Sequence, residues 1–365
     1  MINTTTFAGA QQAEVVGGLA LTEKFFGCVA GSHVGAAMGA PTQNWPYDRI
    51  EKEYGTLDRL LSYNKGWQRD PGTTDDCTER QKLMITAIIE KQDRVTAEDI
   101  KRAWVRDVKA EAEPMLFEPF ERPLFAMARS GIPGRDIGKY CDFSGLNTLA
   151  SSCFPIGLIN AGDVRSAVED VLEVGQLYQT TASRGIQWGT VTAAAIAAAC
   201  EPGATVDAVL AAITKYGAQG ATRELNRSLR ATAECKDFRE LRKAFDKLYS
   251  SQGPPYAWLY APEVVSKGVC IFRMVKGNVK DAIIAAANIG RDTASVGAIA
   301  GGLSGALSGA ASIPEAWIQA VERATSVNTY TNSRRTMKQH SDGLLTAFQS
   351  RLGKMKAHYE KMANA

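Results

Sequence analysis

Residues 288–314 read NIGRDTASVGAIAGGLSGALSGAASIP, and the rest of the chain is organised around them. Gly297, Gly301, Gly305 and Gly309 recur at every fourth position, which places them on one face of a helix. Each mid-helix glycine costs roughly 0.5–1 kcal/mol relative to alanine, so four in register need compensation from packing. We therefore expect another backbone to approach this face closely.

The same glycine spacing is also typical of helices that dimerise within membranes. This segment has few bulky side chains, and Arg291 and Asp292 stand at its start. A spanning helix usually needs about 20 predominantly apolar residues. The composition therefore favours packing inside a globular protein, and we expect no membrane partner.

Composition limits the class of protein. The chain has 365 residues and is 45% hydrophobic, which suffices for a substantial core and excludes a disordered or fibrous protein. Its 42 basic and 39 acidic residues are spread throughout, without a basic block, so a nucleic-acid partner is not indicated. With seven widely spaced cysteines, no CxxC pair and no secretory signal, we expect reduced thiols in the cytoplasm.

Helical periodicity covers most of the chain, and convincing strand alternation is absent. We therefore predict an all-α fold in one compact domain spanning 1–365, with a motif core at about 20–320 and a C-terminal helix at about 335–362. Residues 131–157 form the longest non-periodic region, and long loops in compact domains often bind ligands. The predicted helices are 21–38, 77–92, 96–109, 164–178, 190–200, 206–216, 221–233, 237–250, 262–276, 279–287, 314–325 and 335–362.

Two oxygen-rich clusters stand at predicted helix starts, at Thr74–Asp76 and at Asp292–Ser295. If they face each other across a cleft, they offer the carboxylate and hydroxyl oxygens that Mg²⁺ prefers. Helix capping is the alternative for each cluster, because Ser, Thr and Asp are the usual capping residues.

Three segments resemble the ADP-ribosylglycohydrolase family, which includes the dinitrogenase-reductase-activating and ADP-ribosylarginine hydrolases. GAAMGAPTQ at 35–43 approaches the family pattern G-D-a-l-G-x-P-x-E, and TDDC at 74–77 approaches T-D-D-T. GRDTASVGAIAG at 290–301 approaches G-x-D-T-D-[TS]-x-G-A-I-A-G. The segments occur in the family's order, so the resemblance extends over most of the chain.

The resemblance implies an all-helical domain with two Mg²⁺ or Mn²⁺ ions in a cleft, which cleaves the glycosidic bond of an N-ribosyl or ADP-ribosyl conjugate. The substrate would be a small molecule or a modified protein arginine, as in ADP-ribosyl-arginine. Asp75, Asp76 and Gln43 would be the catalytic positions. The metal ligands would be Thr74, Asp75, Asp76, Asp292 and Ser295.

Three positions depart from the family pattern. Ala294 replaces the second aspartate of D-T-D, so metal affinity and turnover should fall; it is either an inactivating substitution made to trap a ligand or a natural variant with altered metal use. Gln43 replaces a glutamate, and Ala36 replaces the aspartate of the first helix.

The candidate substrate-binding residues are Asn147, Tyr256 and Trp258. The region around Asn147 lacks the asparagine- and glycine-rich pattern that contacts the distal part of the substrate in the family. Two alternatives therefore stay open: a hydrolase of a smaller ribosyl N-glycoside or nucleoside, and a catalytically silent ribosyl-binding protein.

Overall fold

Two glycine-rich helices pack against each other along their whole lengths and form the centre of the fold. In the computed structural model, which describes residues 18–65, 68–119, 121–249 and 259–364, these are α1 (Leu21–Gly39) and α17 (Thr293–Ser308). Their small side chains face each other, while the neighbouring helices cover the other faces. Most of the buried apolar residues join in one hydrophobic core, as the sequence predicts for a compact all-α protein.

The remaining helices surround this pair. Among the described residues there is one pair of β-strands, β1 (Tyr63–Asn64) and β2 (Gln68–Arg69), which are antiparallel and lie between α2 and α3 in the chain. The other helices are α2 (Tyr47–Tyr54), α3 (Asp76–Lys91), α4 (Ala97–Asp107), α5 (Glu113–Leu116), α6 (Arg122–Arg129), α7 (Gly134–Ile137), α8 (Thr148–Ser152), α9 (Phe154–Ile159), α10 (Val164–Val174), α11 (Arg184–Ala199), α12 (Val206–Tyr216), α13 (Gln219–Ala231), α14 (Phe238–Tyr249), α15 (Ala261–Met274), α16 (Val279–Ala287), α18 (Glu315–Ser326) and α19 (Met337–Ala363).

Glycines from the two central helices meet in matched layers. Gly31 faces Gly301, and Gly35 faces Gly297. A Cβ atom added to Gly35 would lie 2.1 Å from the carbonyl oxygen of Gly297, and one added to Gly297 would lie 2.2 Å from the carbonyl oxygen of Gly35. Only glycine permits this backbone contact, which confirms the expectation drawn from the four-residue spacing.

Residue numbers in successive layers rise along α1 and fall along α17, so the two helices are antiparallel. The end of α1 therefore lies beside the start of α17, and residues just after α1 can contact residues just before α17. A short antiparallel bridge joins them: the amide of Asn44 donates to the carbonyl of Arg291 at 2.8 Å, and the amide of Arg291 donates to the carbonyl of Trp45 at 2.7 Å. Arg291 has a φ of 67°, an uncommon value for a non-glycine residue.

The region 131–157 is not the loop that the sequence predicts. It contains α7, α8 and the start of α9, each of about one turn. Such short helices show no periodicity in the sequence, and proline at the start of α9 is compatible with a helix because its missing N–H has no partner there. Most of the segment 145–157 is buried, so it contributes to the core as well as to the site.

The two predicted helices whose bounds match best are 206–216 and 279–287, which coincide with α12 and α16. All seven cysteines are free thiols, five of them buried. Within the described ranges, none of the helices has both the length and the apolar composition that a membrane span requires.

Candidate active site

The first acidic cluster lies at the start of α3. Asp75 occupies the capping position, with extended backbone and no side-chain capping hydrogen bond, and Asp76 is the first helical residue. Thr74 and Asp75 are buried, whereas 21% of the side-chain surface of Asp76 is exposed to solvent. Asp75 is therefore available for contacts other than capping its own helix.

The second acidic group, Asp292, caps α17. Its Oδ1 accepts a hydrogen bond from the backbone N–H of Ser295 at 3.3 Å, as the capping interpretation predicts. Its Oδ2 accepts a hydrogen bond from the side-chain amide of Asn147 at 2.7 Å. Burial raises the pKa of Asp292 to about 6, although the Asn147 and Ser295 hydrogen bonds oppose the rise.

Lys65 and Gln43 link the two helix starts. The Lys65 ammonium donates to Asp75 Oδ2 at 2.7 Å and to Gln43 Oε1 at 2.9 Å. Gln43 in turn donates through Nε2 to Asp292 Oδ1 at 3.3 Å. Asp75 and Asp292, remote in the chain, thus belong to one hydrogen-bonded group. We call Asp75, Asp76, Asp292, Gln43 and Lys65 the carboxylate cluster.

Two cations neutralise Asp75. Burial acts to raise the pKa of its carboxyl, but the Lys65 ammonium and the Arg69 guanidinium outweigh burial, and the net pKa is lowered. Arg69 Nη1 lies 3.5 Å from Asp75 Oδ1. The pKa of Lys65 is raised despite its burial because the Asp75 and Asp76 carboxylates favour the charged ammonium. Asp75 therefore stays ionised.

Arg80 fixes the orientation of Asp76. It is buried and bonds Asp76 one helical turn earlier, while its Nη2 donates to Glu121 Oε2 at 2.6 Å. The i,i+4 spacing of Asp76 and Arg80 is a readable signal that sequence analysis missed. By contrast, Lys65 lies in a turn ten residues before Asp75, and its role has no signature in the sequence.

Two of the three departures from the family pattern, Ala36 and Ala294, occupy buried positions, and the third, Gln43, is half-buried. Ala36 packs with Cys77 and Ala298 in a small apolar cluster, so an apolar contact takes the place of the missing aspartate. Ala294 is 1% exposed and offers no ligand atom.

The start of α3 fits a hard cation. Mg²⁺ takes oxygen ligands and is commonly held by one or two carboxylates and several waters. Thr74, Asp75 and Asp76 supply such donors. Asp75 Oδ1 is buried and accepts no hydrogen bond from the residues that the structure describes, but the Arg69 guanidinium lies 3.5 Å from it, and an ion bound there would displace this ion pair.

The start of α17 fits a second ion less well. Ala294 lacks the carboxylate, and both oxygens of Asp292 already accept hydrogen bonds from amides. Within the described ranges, no three His, Cys or acidic side chains gather closely enough to hold an ion by themselves. The donor set therefore suits one cation with water ligands better than a pair of ions.

The candidate substrate-binding residues have different placements. Asn147 is buried in the loop before α8 and contacts the carboxylate cluster through Asp292. Tyr256 and Trp258 lie outside the described residues, so their proposed contacts stay predictions.

Comparisons with known proteins identify the family and the fold of the chain. The sequence profile described as ADP-ribosylglycohydrolase matches residues 18–351. YegU of Escherichia coli (strain K12), described as uncharacterized, is 24% identical over 300 residues, which cover 76% of this chain and 86% of YegU. A solved structure titled "ADP-ribosylglycohydrolase-related protein complex" has the same fold, with a TM-score of 0.62 and 17% identity over 90% of this chain and 98% of that one. The chain therefore belongs to the ADP-ribosylglycohydrolase family.

Proposed function

We propose that this protein hydrolyses the glycosidic bond of an N-ribosyl or ADP-ribosyl conjugate at the carboxylate cluster. The observation that supports the proposal is the hydrogen-bonded chain from Asp75 through Lys65 and Gln43 to Asp292. It joins the two acidic motifs beside the loop that follows α1, where Gln43 is half-buried. A ribose bound there has buried negative charge next to its anomeric carbon.

The chain's own residues can provide the acid–base chemistry. As the C1–N bond breaks, its electron pair leaves with the aglycone and positive charge develops on the sugar, which the carboxylates of the cluster together stabilise. Asp76, the more exposed carboxylate, accepts a proton from the water whose oxygen bonds to C1. That proton then passes to the aglycone. Arg80 keeps Asp76 in position, and Gln43 and Asn147 hold Asp292.

We propose Mg²⁺ or Mn²⁺ as the cofactor, with Thr74, Asp75 and Asp76 as its ligands. Such an ion orients ribose hydroxyls and lowers the pKa of bound water. Asp292 and Ser295 would hold a second ion weakly, because Ala294 removes one carboxylate from that side. Turnover is expected to be reduced for the same reason, and the free thiols fit a reducing compartment such as the cytoplasm.

The test is hydrolysis of ADP-ribosyl-agmatine and of a panel of ribonucleosides, with Mg²⁺ or with a chelator. Released ADP-ribose or ribose would be measured by liquid chromatography and mass spectrometry. We expect metal-stimulated release that falls at least ~100-fold in Asp76→Asn, since a general base contributes about 10²–10⁴ in rate. The exposed Asp70 is a matched control, and Asp70→Asn should retain the wild-type rate. Absence of release from every conjugate would contradict the proposal.

A smaller ribosyl N-glycoside is a second candidate substrate. Its support is Asn147, whose side chain binds Asp292 instead of extending towards a distal phosphate or adenine. Comparing turnover of the ribosyl and ADP-ribosyl forms of one aglycone separates the two substrates. Calorimetric binding without turnover in Ala294→Asp would instead identify a silent ribosyl-binding protein.

A further inference from the structure

A cavity of about 410 Å³ opens towards the opposite end of α3 from the carboxylate cluster. Its walls come from α3, from the end of α4 and from the segment before α19. Thr86 lines the cavity and stands ten residues after Asp76 on α3, which corresponds to about 15 Å along the helix axis. The cavity is therefore separate from the proposed ribose site.

Backbone contacts fix the segment before α19 against the end of α4. Thr331 and Val108 form an isolated antiparallel bridge, and the amide of Asn332 donates to the carbonyl of Asp107 at 3.1 Å. Residues 332–335, which read Asn-Ser-Arg-Arg, follow this bridge directly, and all four line the cavity. The bridge thus holds these four residues at the cavity wall.

The two carboxylates of the cavity share one cation. Arg106 donates to Asp107 through Nε at 2.8 Å and through Nη2 at 2.6 Å. It also donates through Nη1 to Glu90 at 3.0 Å. The negative charge of Glu90 and Asp107 is therefore largely balanced by a guanidinium that lies beside them.

Two further guanidinium groups have no carboxylate partner within the described ranges. Arg334 is exposed and Arg335 is half-buried. Arg335 donates through Nη1 to the neutral hydroxyl of Thr86 at 2.8 Å, which orients its side chain without neutralising it. The lining thus has three guanidinium groups and two carboxylates, so one positive charge is in excess.

The same wall has neutral groups that can donate hydrogen bonds. The hydroxyl of Ser333 is buried and has no hydrogen-bond partner in the part of the chain that the structure describes. Native proteins rarely leave a buried polar group in this state. The side chain of Asn332 is exposed and adds an amide donor. Four consecutive residues therefore offer donors to one ligand.

These donors suit the phosphate of a phosphomonoester. Guanidinium groups bind phosphate oxygens in charged, often bidentate, hydrogen bonds. The cavity is larger than a phosphate ion requires, and its volume lies within the range for small-molecule sites. Glu90 and Asp107 keep lone pairs that can accept hydrogen bonds from hydroxyl groups. The lining therefore fits a ligand with a phosphate at one end and hydroxyl groups at the other.

We propose that this cavity is a second ligand site, which binds a small hydroxylated phosphomonoester such as a sugar phosphate. The phosphate binds Arg334 and Arg335, and the hydroxyl groups lie towards Glu90 and Asp107. The site shares no residue with the carboxylate cluster, so the proposal goes beyond the hydrolase function.

The experiment is isothermal titration calorimetry of the full chain with glycerol 3-phosphate, glucose 6-phosphate and inorganic phosphate. We expect at least one organic phosphate to bind more tightly than inorganic phosphate, because its hydroxyl groups reach the carboxylates. Arg334→Gln and Arg335→Gln should each weaken this binding by about 10-fold, as expected for the loss of a charged hydrogen-bond donor. Glycerol and glucose, which lack the phosphate, should show no binding.

Arg227→Gln is the matched control. Arg227 is an exposed arginine on α13, it forms no ion pair among the described residues, and it lies outside the cavity. This variant should keep the wild-type affinity, and so should Asp76→Asn in the carboxylate cluster. Thermal melts would show that each variant is folded, which is expected for Arg334→Gln because that side chain is exposed.

Three results would overturn the proposal. The first is the absence of binding by both organic phosphates, or an affinity that Arg334→Gln and Arg335→Gln leave unchanged. The second is equal weakening by Arg227→Gln, which would indicate general attraction of anions to the surface. The third is loss of binding in Asp76→Asn alone, which would place the phosphate at the carboxylate cluster. Binding is measured without turnover, so failure here leaves the hydrolase function in place, and failure of the hydrolysis assay leaves this site in place.

Discussion

Gly35→Ala should separate the two central helices and destabilise the protein. The added Cβ would lie 2.1 Å from the carbonyl oxygen of Gly297 and 2.6 Å from its carbonyl carbon. Both atoms belong to the backbone of α17, so no side chain can rotate away. The helices must move apart by roughly 1 Å or more to restore an ordinary van der Waals distance.

The expected loss in the free energy of unfolding is about 2–4 kcal/mol. Overpacking of a tight core typically costs about 1–3 kcal/mol. Separating the helices also opens gaps at the neighbouring Gly31–Gly301 layer, whose atoms lose contacts. The higher helix propensity of alanine returns only about 1 kcal/mol. The steric effect should therefore exceed the gain in helix propensity.

Urea unfolding followed by circular dichroism measures the change. The control is Gly353→Ala in α19, where an added Cβ meets nothing within 4 Å among the described residues. This control should be stabilised by about 0.5–1 kcal/mol, because only the helix propensity changes. If Gly35→Ala were as stable as wild type or more stable, the close helix contact described above would be refuted.

Three further predictions concern buried charge. The rings of His33 and His340 are buried with centroids 6.1 Å apart, and burial, followed by nearby charges including Lys82, holds the pKa of both imidazoles well below the usual value. Below about pH 6.5 the unfolded chain binds protons that the folded protein does not, so the free energy of unfolding should decrease by up to about 2.7 kcal/mol for each unit by which the pH falls. In urea unfolding between pH 7 and pH 5, the double variant His33→Leu/His340→Leu should show a weaker dependence of stability on pH. Ala294→Asp should raise the affinity for Mn²⁺ by about 10-fold or more, measured by electron paramagnetic resonance; unchanged binding would exclude a ligand role at this position. Arg80→Met leaves two buried or half-buried carboxylates without their cation and should cost about 3–5 kcal/mol in urea unfolding, so a near-neutral effect would show that the ion pairs contribute little.

Local sequence signals predict helices of two or more turns well. The stretches 206–216 and 279–287 carry sustained apolar periodicity and coincide with α12 and α16. By contrast, α7, α8 and α9 are too short to show periodicity, and the segment was predicted as a loop. Burial against the rest of the core stabilises such one-turn helices, and a local pattern carries no information about that burial.

Part of the candidate site was also readable. The acidic residues Asp75 and Asp292 were placed at helix starts because aspartate is a preferred capping residue, and the structure has them there. Lys65 was missed because its contact with Asp75 depends on the path of the turn and hairpin between them. A cavity lined by Gln43, Tyr54 and Lys65 was missed for the same reason, since its walls come from separate segments.

The sequence by itself determined that the chain is helical and that its central helix must lie against another backbone, because glycine at every fourth position fixes a bare face. Only the tertiary structure decided that the partner is α1 and that the pair is antiparallel, which places Gln43 beside Asp292. It also decided that Lys65, Arg80 and Asn147 meet the three carboxylates. Those contacts depend on the packing of the whole core, because most of them join residues that are distant in the chain.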